Sequence, residues 1–215
     1  EGWDLWAARR WEGSAAVRLS DAYPADEGVV AFEITPDSAR VVYLAGAFGP
    51  SGPFRLWSVP LDGSAVPTAL HAAPAGYGTA EFALTPDGAR AVFLADLPTA
   101  GQFALWSVPV AGPAGQGDRL SPVPDFAFQD VEAFAIAPDS VRVAFTGILT
   151  ADSFDEVWSA PIAGPAPSNP ISPVPALDAA GALEHRVMDI DVAHAVQHPP
   201  QDTRARIRGE VIRRL

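Results

Sequence analysis

FEITPDSARVVYLA at residues 32–45 returns as FALTPDGARAVFLA at 82–95 and as FAIAPDSVRVAFTG at 134–147. Each copy is followed by a second shared block: RLWSVPLDGS at 55–64, ALWSVPVAGP at 104–113 and EVWSAPIAGP at 156–165. The aspartates Asp37, Asp87 and Asp139 stand 50 and 52 residues apart, and Trp57, Trp106 and Trp158 stand 49 and 52 apart. Two blocks recurring in order at one period mark a structural repeat of about 50 residues.

Within a copy the apolar residues alternate, as half-buried strands require. Phe32 and Ile34 share one side of a strand and Val41 and Tyr43 one side of the next, with Pro36-Asp37-Ser38 between them. Proline at the second turn position fixes φ for a type I turn, and the aspartate carboxylate can accept the N–H two residues on. Leu56 to Leu61 reads as a third strand closed by Asp62-Gly63, and Pro67 to His71 as a weaker fourth. Four antiparallel strands without a helix form a sheet whose two faces must both be covered, so successive sheets stack around an axis. The fold class is all-β, a β-propeller of four-stranded antiparallel blades with about four repeats present.

Working outward, residues 1–22 read as the second half of a leading blade, because Leu5-Trp6 lies 51 residues before Leu56-Trp57. Blades follow at 23–72, 73–122 and 123–174. Residues 175–198 read as a degenerate start of a further blade, with Arg186 in the place of Phe134 and Gln197 in that of Phe145. Residues 199–215 form a basic tail. Its last twelve residues carry five arginines and one glutamate, a net +4, against −16 for the rest. Joining the leading half to the degenerate one would close a four-bladed ring. The mid-repeat beginning and damaged end favour part of a larger ring, which would self-associate through its open sheets.

Composition agrees. The 22 prolines and 18 glycines among 215 residues leave little room for long helices. A net charge of −12 opposes nucleic acid, so no nucleic-acid partner is expected. No apolar run approaches the ~18–20 residues of a membrane-spanning helix. Without cysteine there is no disulfide or thiolate chemistry, and without lysine no Schiff base or P-loop. The chain starts at Glu1 with no leader pattern, so any targeting signal is expected outside it.

These repeats resemble the TolB-type, WD-like propeller repeat of bacterial envelope proteins. Phe32 to Tyr43, Phe82 to Phe93 and Phe134 to Phe145 match its first half. Leu56-Trp57, Leu105-Trp106 and Val157-Trp158 match the second, with Trp where that family more often has Tyr. The resemblance implies six to eight blades, a periplasmic or extracellular location, and a non-catalytic scaffold binding a protein or peptidoglycan-associated partner. The alternative is the gating propeller of a prolyl-oligopeptidase-type serine hydrolase with its catalytic domain outside this chain.

No residue pattern carries catalysis or a cofactor. There is no G-x-S-x-G elbow, Walker A loop, dinucleotide fingerprint or calcium loop. Asp37, Asp87 and Asp139 are expected to serve their turns, the tryptophans to pack, and Arg40, Arg90 and Arg142 to pair with the turn aspartates or cover an edge. His185, Asp189, Asp191, His194 and His198 hold the one candidate metal spacing, but Ala195 replaces the general base and Pro199-Pro200 follow, so no metal site is expected. Asp152, Asp155 and Glu156 read as a solvated loop. The variable loops all leave one end of the blades, where repeat scaffolds bind. Phe48, Phe54, Tyr77, Phe103, Phe126, Phe128, Asp130, Phe154 and Asp155 are the candidate partner-binding residues there.

Overall fold

The computed structural model describes residues 2–8, 15–48, 53–71, 76–97, 99–112, 115, 117–123, 129–150, 155–164 and 168–171. Phe126, Phe128, Phe154, the histidine cluster, the expected further blade start and the basic tail lie outside them.

The described chain is all-β. Strands β1 (Trp6–Ala7) and β2 (Val17–Arg18) form a two-stranded sheet. The first full blade holds β3 (Glu27–Ile34), β4 (Arg40–Ala47), β5 (Phe54–Pro60) and β6 (Thr68–Ala69). The second holds β7 (Thr79–Leu84), β8 (Arg90–Ala95), β9 (Ala104–Pro109) and β10 (Asp118–Arg119). The third holds β11 (Asp130–Ile136), β12 (Arg142–Ile148), β13 (Asp155–Pro161) and β14 (Asn169–Pro170). Each four-stranded sheet is a plain meander, its strands paired antiparallel in chain order. This is a partial β-propeller.

Registers repeat as well. Phe32 faces Tyr43, Phe82 faces Phe93, and Phe134 faces Phe145. The first strand of each blade slips by one residue after Val29, Thr79 and Val131. A bulge recurring at the repeat period is a built feature that re-aims the strand end.

The sheets stack face to face through three apolar layers. Leu5 and Leu19 meet Val29, Val41, Tyr43 and Val59. Val42, Leu44, Leu56 and Leu70 meet Phe82, Ala91, Phe93 and Val108. Val92, Leu94, Leu105 and Leu120 meet Val131, Val143, Phe145 and Trp158. The middle strands β4 and β8 are buried on both faces, and each fully covered side chain contributes roughly 1.5–3 kcal/mol. The tryptophan of each blade points back toward the preceding sheet: Trp158 is 9% exposed, whereas Trp6, with no described sheet before it, is 54% exposed.

Two expectations are corrected here. Arg40, Arg90 and Arg142 do not bind the turn aspartates. Their Nε atoms donate to Ser58, Ser107 and Ser159 Oγ at 2.8, 2.6 and 2.9 Å, tying second strand to third. The β-ladder places each serine two pairs along from its arginine, on the same face of the sheet, while the aspartates bond within their own turns. Glu156 is not in a solvated loop. It lies buried in β13, where its Oε2 accepts the Trp158 indole N–H at 3.1 Å.

Candidate binding face

The two ends of the stack differ in chemistry. At the tight-turn end polar groups are consumed internally. Ser38 N donates to Thr35 O at 2.7 Å, and Asp37 Oδ1 accepts the Thr35 hydroxyl at 2.6 Å and the Ala39 N–H at 3.0 Å. The second blade repeats this with Thr85, Asp87, Gly88 and Ala89. The threonine hydroxyls, and then the backbone N–H groups, hold both carboxyls below the usual aspartate range. The third blade has Ala137 in place of threonine and keeps the Asp139 to Val141 N–H bond at 2.9 Å. Ser38 and Ser140 take φ of 57° and 62°, the left-handed position that Gly88 fills at 70°.

The opposite end gathers the long connections. Where consecutive sheets meet there, the first strand of one bonds to the chain just ahead of a strand of the one before: Val29 N to Trp3 O at 2.8 Å, ahead of β1, and Val131 N to Phe103 O at 2.9 Å, ahead of β9. Among the residues expected to contact a partner, Phe48 is half-buried, edge-on to Trp3 with ring centroids 5.8 Å apart, and its N–H donates to Asp26 O. Phe54 and Phe103 are half-buried against the inter-blade layers. Asp130 accepts the Phe103 N–H at 2.7 Å, so its carboxylate joins the second blade to the third. Tyr77 is half-buried, and Asp155 opens β13. None of these described residues lines the cleft at that end.

Among the described residues a cleft of about 250 Å³ opens at that end, between the connection that follows β2 and the first blade. Asp21, Tyr23 and Glu27 line one side, and Pro53, Arg55 and Trp57 the other. Asp21, Glu27 and Arg55 form no ion pair with one another, so the cleft presents both signs of charge beside aromatic surface. Burial raises the Tyr23 phenol, whose hydroxyl is turned inward beside Tyr43, so the ring and not the hydroxyl faces the cleft. Sequence reading passed over this cleft because Asp21 and Tyr23 sit in the connection before β3, which no other repeat shares, and Glu27 opens that strand. Only their acidity, at the variable end, could have signalled it.

One blade deviates nearby. Ser20 and Ser121, each just past a short outer strand, accept the N–H of Leu5 at 3.0 Å and of Leu105 at 3.1 Å. His71 takes that place in the first blade. It is 6% exposed, stacked on Phe93 at 5.0 Å, with Nε2 hydrogen-bonded to Thr79 Oγ1 at 2.7 Å. Burial, helped by the Arg55 charge, pushes its pKa down to about 4, so the ring is neutral. Among the described residues no group of three or more His, Asp or Glu side chains could hold a metal ion, and no helix is long and apolar enough to cross a membrane.

Comparison with known proteins points to the fold. Residues 169–215 match the family model described as Pup-ligase protein, less than a quarter of the chain. No curated protein matches. Among solved structures, a puromycin-hydrolysing peptidase of Mycobacterium tuberculosis aligns with TM-score 0.50 and 14% identity over 76% of this chain and 25% of its own. Oligopeptidase B of Leishmania major aligns at TM-score 0.48 and 14% identity over 73% of this chain and 20% of its own. A protein of Agrobacterium tumefaciens assigned to TolB aligns at TM-score 0.31 and 15% identity over 78% of this chain and 73% of its own. The chain thus spans about a quarter of the peptidase it matches at TM-score 0.50.

Proposed function

We propose that this chain carries a non-catalytic propeller module that binds a protein partner across its long-loop end. The cleft of Asp21, Tyr23, Glu27, Arg55 and Trp57 is the anchoring part of that surface. The contrast between the two ends carries the reading. Carboxylates and hydroxyls at the turn end are used up by the turns, whereas the cleft offers both charges and two aromatic rings to a ligand. A surface of this composition suits a peptide segment with charged side chains of both signs.

The Pup-ligase match starts within β14, the last strand of the third blade, and supports a boundary just after that blade. It runs across Arg186 and Gln197, where the strand alternation fails, and favours reading that stretch as another kind of unit instead of a further blade. In this reading the propeller is the recognition part and the following segment belongs to an enzyme-family domain. A second reading, favoured by the likeness to the Mycobacterium tuberculosis peptidase, makes the propeller the domain that controls access to a hydrolase.

Affinity capture on the full chain tests the proposal quantitatively. A partner recovered by the wild type should be lost with Arg55→Glu and kept with Asp37→Ala at the turn end. Equal recovery by both variants would sink the binding-face assignment. Attachment to a downstream domain containing a G-x-S-x-G elbow would favour the hydrolase reading.

A further inference from the structure

One position of the repeat changes its chemistry from sheet to sheet. It lies two residues before the tryptophan and is filled in turn by Asp4, Arg55, Ala104 and Glu156. In the third blade Gly147 pairs with Glu156 and Phe145 with Trp158, and Glu156 Oε2 accepts the Trp158 indole N–H at 3.1 Å. The first blade has the same register, Ala45 with Arg55 and Tyr43 with Trp57. The second pairs Ala95 with Ala104 and Phe93 with Trp106. The third blade therefore marks where a carboxylate sits beside this tryptophan.

The other two full blades lack that carboxylate and differ in what replaces it. In the second, Ala95 and Ala104 are buried, and the Trp106 indole N–H is buried without an acceptor. In the first, Arg55 puts a second donor in the acceptor's place, and Ala45, Arg55 and Trp57 line the cleft. Among the described residues no group accepts from the Arg55 guanidinium or the Trp57 indole. The cleft, about 250 Å³, is larger than the ~150 Å³ cavity that takes benzene, so it has room for side-chain heads. Across it stand the carboxylates of Asp21 and Glu27, two against the one guanidinium. They oppose an anion arriving alone, so the ligand has to bring a cation as well.

We propose that the Arg55–Trp57 wall is a carboxylate subsite, and that the partner segment lays an acidic group there and a basic side chain against Asp21 and Glu27. The guanidinium and the indole donate to that carboxylate, which supplies from the partner what Glu156 supplies within the third blade. Charge-assisted bonds of this kind are stronger than neutral ones. The proposal rests on the cleft being part of the binding end, and adds the direction in which the ligand's charges lie.

The test titrates acetyl-glutamyl-lysine amide into the nitrogen-15-labelled full chain, with Trp57→Phe identifying the Trp57 indole resonance. That resonance should move downfield to saturation. The glutaminyl analogue, which lacks only the negative charge, should bind at least about tenfold more weakly. Arg55→Glu recreates the third blade's pair, so it should move the same resonance without ligand and abolish binding. The two dipeptides are compared on the wild type, so the outcome does not depend on how that variant folds. Acetyl-alanyl-lysine with a free α-carboxylate identifies the source. Binding as tight as that of the glutamyl probe marks a chain terminus, and weaker binding an acidic side chain. No binding, equal binding of the glutamyl and glutaminyl probes, or saturation that leaves the Trp57 indole unmoved would overturn the subsite. If partner capture were still lost with Arg55→Glu, the binding face would stand without it. An indole that moves while capture ignores Arg55→Glu would keep the subsite and sink the face.

Discussion

His71 offers a measurable consequence of one buried ring. In the folded chain it is 6% exposed and neutral, with its pKa lowered from 6.5 to about 4. Unfolding returns it to water, where it takes up a proton near pH 6.5. Between those values the unfolded state binds the extra proton, so stability falls as pH falls, by about 1.4 kcal/mol per pH unit. From pH 7 to pH 5 the loss amounts to about 2 kcal/mol, a large part of the ~5–15 kcal/mol that holds a domain folded. The comparison variant is His71→Ser, which installs the residue that Ser20 and Ser121 provide in other blades and removes the titration. Losing the stack on Phe93 lowers the variant's stability at every pH, and the reading is therefore the slope. Urea unfolding followed by tryptophan fluorescence at pH 7, 6 and 5 should show the wild type losing about 2 kcal/mol more than the variant across that range. Parallel losses would mean that His71 is not held neutral by burial, and the reasoning would fail.

Other positions give independent expectations. Arg90 donates to Ser107 and also meets Asp118 at 2.6 Å, so Arg90→Met should cost roughly 1.5–3 kcal/mol in urea unfolding. Arg40→Met should cost less, since among the described residues the Arg40 guanidinium bonds to Ser58 and meets no carboxylate. Glu156→Ala strands the buried Trp158 N–H and should cost roughly 1–3 kcal/mol, with a shifted Trp158 emission. A methyl group on Gly147 would fall 2.1 Å from Asp130 O, so Gly147→Ala should destabilise by roughly 1–3 kcal/mol, whereas Gly101→Ala meets nothing within 4 Å and is opposed only by its φ of 79°. Acidification should loosen the turns at Asp37 and Asp87 only below the ordinary aspartate range, because their lowered carboxyls stay ionised longer and give up their hydrogen bonds only on protonation. Amide exchange at Ala39 and Ala89 would follow it.

What could be read from residues alone depended on how local the physics is. The Thr-Pro-Asp turn is settled within five residues, so the Asp37 to Ala39 bond could be anticipated from spacing. The arginine of the same motif could not, because its partner Ser58 lies 18 residues away and is reached only when β4 and β5 pair. Glu156 looked like part of an acidic loop because Asp152 and Asp155 precede it. Its burial follows from the β13 register, which turns alternate residues toward the neighbouring sheet. Phe32 has the same sequence context as Phe82, yet their exposures differ because exposure depends on what stands in front. The cleft was least legible of all, since Asp21 and Tyr23 come from a connection that the repeat does not align and meet Arg55 and Trp57 of an aligned strand only in the folded chain.

A binding face at the long-loop end requires consecutive repeats to stack as blades, with the two-stranded sheet seated on the first full one. The natural absence of cysteine makes an engineered bridge clean to interpret. A Cβ built on Gly63, in the turn after β5, lies 3.6 Å from Val17 Cβ on β2, within the ~3.5–4.5 Å that a disulfide spans. Mild oxidation of the full chain carrying Val17→Cys and Gly63→Cys should therefore give one intramolecular bridge, found by peptide mapping in monomeric protein. Free thiols, or bridges formed only between molecules, would contradict the stacked arrangement.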